Sequence, residues 1–413
     1  KLNFATHFNA QSYIKPMPNR FFLTKKLPAY IFASIYKLKQ EAILRGIKII
    51  DFGMGNPDSA PPKHVMEKLA ELTQNPKLYG YSTVGGVDAL KQSLAQYYQR
   101  RFNVALDEKT ECLVTIGAKE GIASLATAIA SPEDCIAVAN PGYPIHTFAF
   151  VIAKGNLLSI LAIEPRDFLM KFKEAVKTAP KKPVAVIVNY PSNPTSQTVG
   201  LDFYQELVDF CRAEKIYIIS DIAYCEIYYD EKEKPHSILE IEGAKDIAIE
   251  FSSVSKSFSM AGCRVGFAAG NEVLIGALYK IKSYLDYGSF EPLQLAAIDA
   301  LSEKSDEYLK NLRQKYFSRA KFLVNLLDKE LGWKAQMPKA GMFIWTKIPD
   351  HLFTKTNTNN SFDFCKTLIE KTGVALSAGS SFGENGEGYV RFSLIREEEE
   401  MKEAVEKIKE LSL

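Results

Sequence analysis

Through the middle of this chain, short apolar segments alternate with helical patterns, and nothing else in the sequence limits its fold as tightly. Residues 112–116, 136–139, 184–189, 216–220, 247–251 and 264–268 read as strands, most of them apolar on both faces. Such a strand has to be covered on both sides, which parallel pairing with helical crossovers achieves. Helical patterns at 120–130 and 201–214 fall between them. The expected fold class is α/β, a mostly parallel sheet wrapped by helices. From about 292 to 330 the pattern is helical almost without break, as in a connecting helix. Beyond it, 341–346 and 389–394 read as strands, 354–361 as an exposed polar loop and 397–413 as a polar helical end, together a smaller α+β domain. The expected division is 1–48 as an N-terminal arm and part of the small domain, 49–295 as the large domain, and 296–413 as the small domain with its connecting helix.

With 413 residues, 46% of them hydrophobic, the chain can bury the cores of two or three domains. Lys and Arg total 51 against 49 acidic residues, a formal charge of +2 with no basic stripe, which argues against nucleic acid as a partner. No apolar run is long enough to span a bilayer. The six cysteines are dispersed without a CxxC pair and read as reduced thiols. The five histidines show no metal-ligand spacing, so no metal is expected. Residues 1–20 lack the apolar core of a secretory signal, and a cytoplasmic enzyme acting on small molecules is the expectation.

In open α/β sheets ligands collect beyond the carboxyl ends of the strands, and several polar residues fall there. Thr115-Ile116-Gly117-Ala118-Lys119 runs from a strand through glycine into a helix; helix N–H groups with Lys119 suit an anion, although the segment alone reads more readily as a plain βα turn. Asn193 follows a strongly apolar strand within a proline-rich turn, Pro191 to Pro194, that presents it at the sheet edge; alone it too reads as a turn. Asp221 closes a buried strand, where a carboxylate needs a cation or donors, or else caps the next element.

Ser253-Val254-Ser255-Lys256-Ser257 carries the most information. Lys256 sits between hydroxyls after an apolar strand, and Arg264 comes eight residues later. Hydroxyls and a guanidinium fork suit a phosphate dianion, and a lysine near other cations gives up its proton more readily and becomes a nucleophile. A surface lysine in a polar loop would explain neither Arg264 nor the flanking strands. Arg391 lies inside a strand pattern, where most arginines merely face solvent but where a carboxylate substrate would need such a fork.

In order and spacing these segments resemble the class I aminotransferases, the aspartate aminotransferase-like fold type I enzymes that use pyridoxal 5′-phosphate, from about Leu27 to the C-terminus. The stretches Leu27-Pro28-Ala29-Tyr30, Asp51 to Asp58 and Asp286 to Gln294 are most similar to bacterial alanine (glutamate–pyruvate) and LL-diaminopimelate aminotransferases. The resemblance implies that Lys256 bonds the cofactor and later shuttles a proton, that Asp221 pairs with the pyridine nitrogen, and that Asn193 and Tyr224 bind the ring hydroxyl. It implies Tyr143 on the ring face, and a phosphate site of Ala118, Lys119, Ser253, Ser255 and Arg264. Tyr81 would reach the phosphate of the neighbouring subunit of a homodimer. Arg391, with Asn193 and the backbone near Gly55, would take the substrate carboxylate. Tyr143 stands where many relatives have Trp, and Ser196 where Gly commonly follows Asn-Pro-Thr. No arginine occurs in 283–291, the region of the second-carboxylate clamp in aspartate-specific enzymes, which weakens an aspartate-specific reading. The expected reaction moves an amino group between an L-amino acid and a 2-oxo acid, with glutamate and pyruvate as the favoured pair. Aspartate, LL-diaminopimelate, a broader substrate range, or a carbon–sulfur lyase or decarboxylase on the same fold are the alternatives. A regulator's sensor domain would need a fused DNA-binding module, for which the N-terminal segment is short, and a nicotinamide dehydrogenase would need a GxGxxG after its first strand.

Overall fold

The structure, a computed structural model, describes residues 23, 25, 27–28 and 31–411. Most of the expected N-terminal arm, Ala29 and Tyr30 of the Leu27–Tyr30 stretch, and the last two residues of the helical end lie outside the described residues.

In chain order the strands are β1 (Ile50–Asp51), β2 (Cys112–Thr115), β3 (Cys135–Asn140), β4 (Asn156–Leu161), β5 (Ala185–Asn189), β6 (Tyr217–Asp221), β7 (Ala248–Ser253), β8 (Gly266–Gly270), β9 (Phe343–Lys347), β10 (Val374–Ala375), β11 (Ser377–Ala378) and β12 (Tyr389–Ser393). Among the described residues, seven of them form one sheet in the order β2-β8-β7-β6-β5-β3-β4. Pairing is parallel from β7 to β4, whereas β8 runs antiparallel to both β2 and β7. Alternation along each strand feeds two cores. Ala137, Val186 and Ile218 face one, and Ile136, Ile187 and Ile219 the other. Each such Ile or Val, fully buried, contributes roughly 1.5–3 kcal/mol.

The helices that position the site are α1 (Ile31–Leu44), α2 (Ala118–Ile129), α3 (Pro144–Ile152), α4 (Leu201–Glu214), α5 (Glu272–Leu285), α6 (Glu291–Leu301), α7 (Asp306–Leu331), α8 (Asp350–Thr356), α9 (Ser361–Thr372) and α10 (Glu398–Glu410). The antiparallel strands β11-β12-β9 pack with α7, α9 and α10 around a third core that includes Trp333, Phe343 and Phe392. α1 packs on α9, and β1 pairs with β10, so Ile50 and Phe52 belong to this third core. Among the described residues, no helix is long and apolar enough to cross a membrane.

Four details differ from the sequence reading. The helix expected over 292–330 breaks at Ser302, whose backbone is extended and whose hydroxyl donates to the Asp299 carbonyl at 2.7 Å, a local bond that competes with helix continuation. β8 begins two residues later than 264, because Arg264 ends a 3₁₀ turn in the left-handed region (φ 56°). β4 is not among the segments the pattern singles out; at the sheet edge its partial exposure leaves no two-sided apolar run. In 354–361 the first three residues finish α8, and Asn357 (φ 53°) caps it before the loop.

Candidate active site

Strand register assembles the site from distant parts of the chain. On adjacent strands β5 and β6, Asn189 lies opposite Asp221. The Asn189 side-chain amide donates to the Asp221 carbonyl at 2.7 Å, and its oxygen accepts from the Asn193 N–H at 2.8 Å, which fixes the turn that carries Asn193. Within that turn the Tyr190–Pro191 and Asn193–Pro194 bonds are cis. The Asp221 carboxylate is buried, and burial of that group requires partners. Among the described residues it has two: His146 Nε2 at 2.9 Å from Oδ2, and the Ala223 N–H, which donates to Oδ1 at 3.1 Å. His146 sits in the first turn of α3, its ring edge-on to Tyr143 at 5.6 Å.

A second group forms where β2, β8 and β7 end together, with Thr115 opposite Gly266 and Gly266 opposite Ser253. Gly117 (φ 78°) turns the chain into α2, whose first N–H groups have no intrahelical acceptor. The turn is closely packed. A Cβ on Gly117 would lie 2.1 Å from Arg264 Nη2, and one on Gly266 2.5 Å from the Ala118 nitrogen. Arg264 donates to the Ile116 carbonyl at 3.3 Å and the Ala261 carbonyl at 2.9 Å, with Ser255 Oγ at 3.5 Å. The Ser253 hydroxyl accepts from the Ser255 N–H at 3.2 Å and so caps the short helix carrying Lys256. Lys119 is exposed as a residue, but partial desolvation followed by the nearby Arg264 charge lowers its pKa. Ala118, Lys119, Ser253, Ser255 and Arg264 are thus brought together around one helix N-terminus.

Lys256 and Arg391 meet at a single backbone segment. The Lys256 amine donates to the Gly55 carbonyl at 2.5 Å, and Arg391 Nη2 donates to the Gly53 carbonyl at 2.7 Å. Burial, then the Arg391 and Arg264 charges, press the Lys256 pKa down to about 8. Arg391 lies mid-strand in β12, with strands on both sides, and is buried rather than solvent-facing. Its Nη1 donates to Asn193 Oδ1 at 2.6 Å, and its guanidinium lies 4.2 Å from the Phe343 ring and 4.8 Å from that of Phe382. Burial lowers its pKa to about 10, so the group stays charged at neutral pH. Its buried Nε has no hydrogen-bond partner among the described residues. Gly55 has to be glycine, since a Cβ would fall 2.8 Å from Phe343. Tyr224 is buried edge-on to Phe343 at 5.4 Å; burial, then nearby Tyr143, raises its pKa and keeps the phenol a donor. Tyr81 stands apart, 88% exposed, its ring 4.7 Å from that of Tyr287.

Beyond the residues expected from the sequence, His146, Asn189, Ser377 (whose hydroxyl accepts from Arg391 at 3.2 Å) and Phe343 join these groups. A signal for His146 existed, a histidine three residues after Tyr143 at a helix start; Ser377 and Phe343 become neighbours of Arg391 only through sheet pairing.

An amine with its pKa brought close to neutrality is suited to a carbonyl, and the cup of helix N–H groups, hydroxyls and a guanidinium is suited to a phosphate. Pyridoxal 5′-phosphate carries both on one ring, and the residues fit it; this is the class of fold type I pyridoxal phosphate enzymes. The chain belongs to the family of class I and II aminotransferases, matching it over residues 47–408. It is 41% identical to the glutamate–pyruvate aminotransferase AlaC of Escherichia coli over 94% of this chain and 93% of that one. It is 40% identical to an LL-diaminopimelate aminotransferase of Nitratidesulfovibrio vulgaris, over 93% of this chain and 97% of that one. Substrate-bound BacF from Bacillus subtillis superposes with a TM-score of 0.85 at 32% identity, covering 94% of this chain and 96% of that one. The protein is a pyridoxal phosphate-dependent aminotransferase, with amino acids and 2-oxo acids as its substrates.

Proposed function

We propose that Lys256 is the lysine that bonds the cofactor, and that the enzyme transfers the amino group of glutamate to pyruvate. The observation carrying the site assignment is the pair of hydrogen bonds that brings the Lys256 amine and the Arg391 guanidinium to carbonyls two residues apart, Gly55 and Gly53. A bound amino acid with its carboxylate on Arg391 would then present its Cα to the Lys256 amine.

Bound pyridoxal phosphate supplies an aldehyde and a ring that withdraws electrons from the substrate's Cα. In this reading Arg391 grips the substrate carboxylate, with Asn193 and the backbone near Gly55 completing the pocket, and so orients the Cα–H bond. The Lys256 Nζ, neutral for part of the time near pH 7 because of its burial, takes up the Cα proton and returns it. Asp221, steadied by His146, offers a carboxylate to the pyridine nitrogen. Asn193 and Tyr224 donate to the ring hydroxyl, and Tyr143 covers the ring face. Ala118, Lys119, Ser253, Ser255 and Arg264 hold the phosphate. The reading extends to a cytoplasmic homodimer in which Tyr81 reaches the neighbouring phosphate; exposed Tyr81, Tyr284 and Tyr287 supply an aromatic surface for that contact. It includes a division at about 49 and 295 into a large domain and a small one, although the core of the large sheet continues to Leu309 and the third core takes in Ile50, Phe52, Tyr224 and Ile227.

The likeness to AlaC supports glutamate and pyruvate, and the absence of arginine in 283–291 tells against strict aspartate specificity. The likeness to LL-diaminopimelate aminotransferases, almost as strong, makes that substrate the second reading. The test loads the enzyme with cofactor and adds one amino acid at a time, following the loss of yellow colour. Glutamate and alanine should each bleach it. Bleaching by LL-diaminopimelate but not alanine would replace the substrate pair, and release of ammonia and pyruvate without transfer would indicate a lyase.

A further inference from the structure

Lys282, near the end of α5, is fully buried and has no part in the chemistry above. Its ammonium lies 3.2 and 3.1 Å from the two oxygens of Glu120 and 2.8 Å from Asp286. Glu120 is in the first turn of α2, at the helix end assigned to the phosphate, where its carboxylate accepts from the Ile116 N–H at 2.8 Å and Ser124 Oγ at 2.6 Å. The Ile116 residue is therefore held at both its polar groups, by Glu120 at its N–H and by Arg264 at its carbonyl. Asp286 accepts from the Gly288 N–H at 2.7 Å, and a Cβ on Gly288 would meet the Thr83 carbonyl at 2.6 Å, so the 286–288 loop lies tightly against the loop that follows Tyr81.

A carboxylate in the first turn of a helix competes for the same positive end that a phosphate would use. Two carboxylates stand behind this cup, and Lys282 is the buried cation between them. We propose that Lys282 is a positioning residue for the cofactor phosphate: it neutralises Glu120 and Asp286 so that the α2 N-terminus accepts a dianion, and it holds the Ile116 turn against Arg264. This rests on the assignment of the phosphate to Ala118, Lys119, Ser253, Ser255 and Arg264.

The test titrates cofactor-free protein with pyridoxal phosphate and with pyridoxal, which lacks the phosphate, and reads binding by absorbance and fluorescence. In Lys282→Met the preference for the phosphorylated form should fall about tenfold or more, as expected for an unbalanced charge beside a partly desolvated anion, while pyridoxal binds as before. Adding Glu120→Gln to that variant should restore part of the preference, since the amide oxygen still accepts from Ile116 without carrying charge while Asp286 stays without its cation. Glu120→Gln alone, in which Lys282 keeps Asp286, should bind pyridoxal phosphate at least as tightly as the wild type. Equal weakening of both ligands in Lys282→Met, no recovery in the double variant, or looser pyridoxal phosphate binding in Glu120→Gln would each overturn the proposal. Should Lys282→Met not fold, the Glu120→Gln result decides. A wild-type protein with no preference for the phosphorylated ligand would instead remove the phosphate assignment itself, and the proposal with it.

Discussion

Replacing Lys256 with methionine tests the electrostatics of the site separately from its chemistry. Burial, with Arg391 and Arg264 nearby, brings the folded-state pKa to about 8, against 10.5 for an ordinary lysine. Between those values the unfolded chain binds more protons than the folded one, so stability rises with pH across that window. Below pH 8 the folded protein carries the whole penalty of burying the charge. A gap of about 2.5 units at about 1.36 kcal/mol each amounts to about 3 kcal/mol at pH 7. Methionine is similar in length and uncharged, but it forfeits the hydrogen bond to the Gly55 carbonyl, a loss of about 1 kcal/mol. The cofactor-free variant should therefore be more stable than the wild type by about 2 kcal/mol at pH 7, about 2–4 °C in midpoint for a chain of this size. Thermal unfolding in phosphate-free buffer between pH 6.5 and 10.5 measures it. The advantage should shrink from pH 8 upwards, vanish at about pH 10 and turn into a deficit approaching about 1 kcal/mol, the lost hydrogen bond, as the wild-type amine becomes neutral in both states. A variant less stable than wild type at pH 7, or a difference that does not change with pH, would refute the argument.

Asp221→Ala should retain bound cofactor but slow amino transfer by about a hundredfold or more, measured in single-turnover half-reactions. Near-normal rates would remove its assigned role. Arg391→Lys keeps the charge but loses the two-pronged geometry, and the KM for amino acids should rise about 10–100-fold with cofactor affinity unchanged. A parallel loss of cofactor would place Arg391 elsewhere in the mechanism. Coexpression of Tyr81→Ala with Lys256→Ala should yield hybrid dimers in which one site has both side chains, and about half the sites should recover tight cofactor binding. No recovery in isolated hybrids would deny that Tyr81 crosses to the neighbour.

Much of the large sheet was legible because strands apolar on both faces, such as 184–189 and 216–220, allow few other readings. Lys256, Asp221, Asn193 and Arg264 stand out as proposed site residues for a related reason. Polar groups directly after buried strands lie at the sheet edge, and their types match a phosphate and an electron-withdrawing ring. The break at Ser302 escaped the pattern because one side-chain hydrogen bond outweighed a helical periodicity that continues on both sides. β4 escaped it because an edge strand needs an apolar covering on fewer sides.

Local chemistry along the chain therefore determined the sheet, the family and the choice of Lys256 as the proposed nucleophile. Which groups surround that nucleophile was decided only in three dimensions, because pairing of β5 with β6 and of β12 with β9 and β11 joins residues far apart in the chain. His146 reaches Asp221 across 75 positions, Asn193 reaches Arg391 across 198 and Lys282 reaches Glu120 across 162. No periodicity records such distances; they follow from the strand and helix packing that excludes water from these charges and leaves one another as their partners.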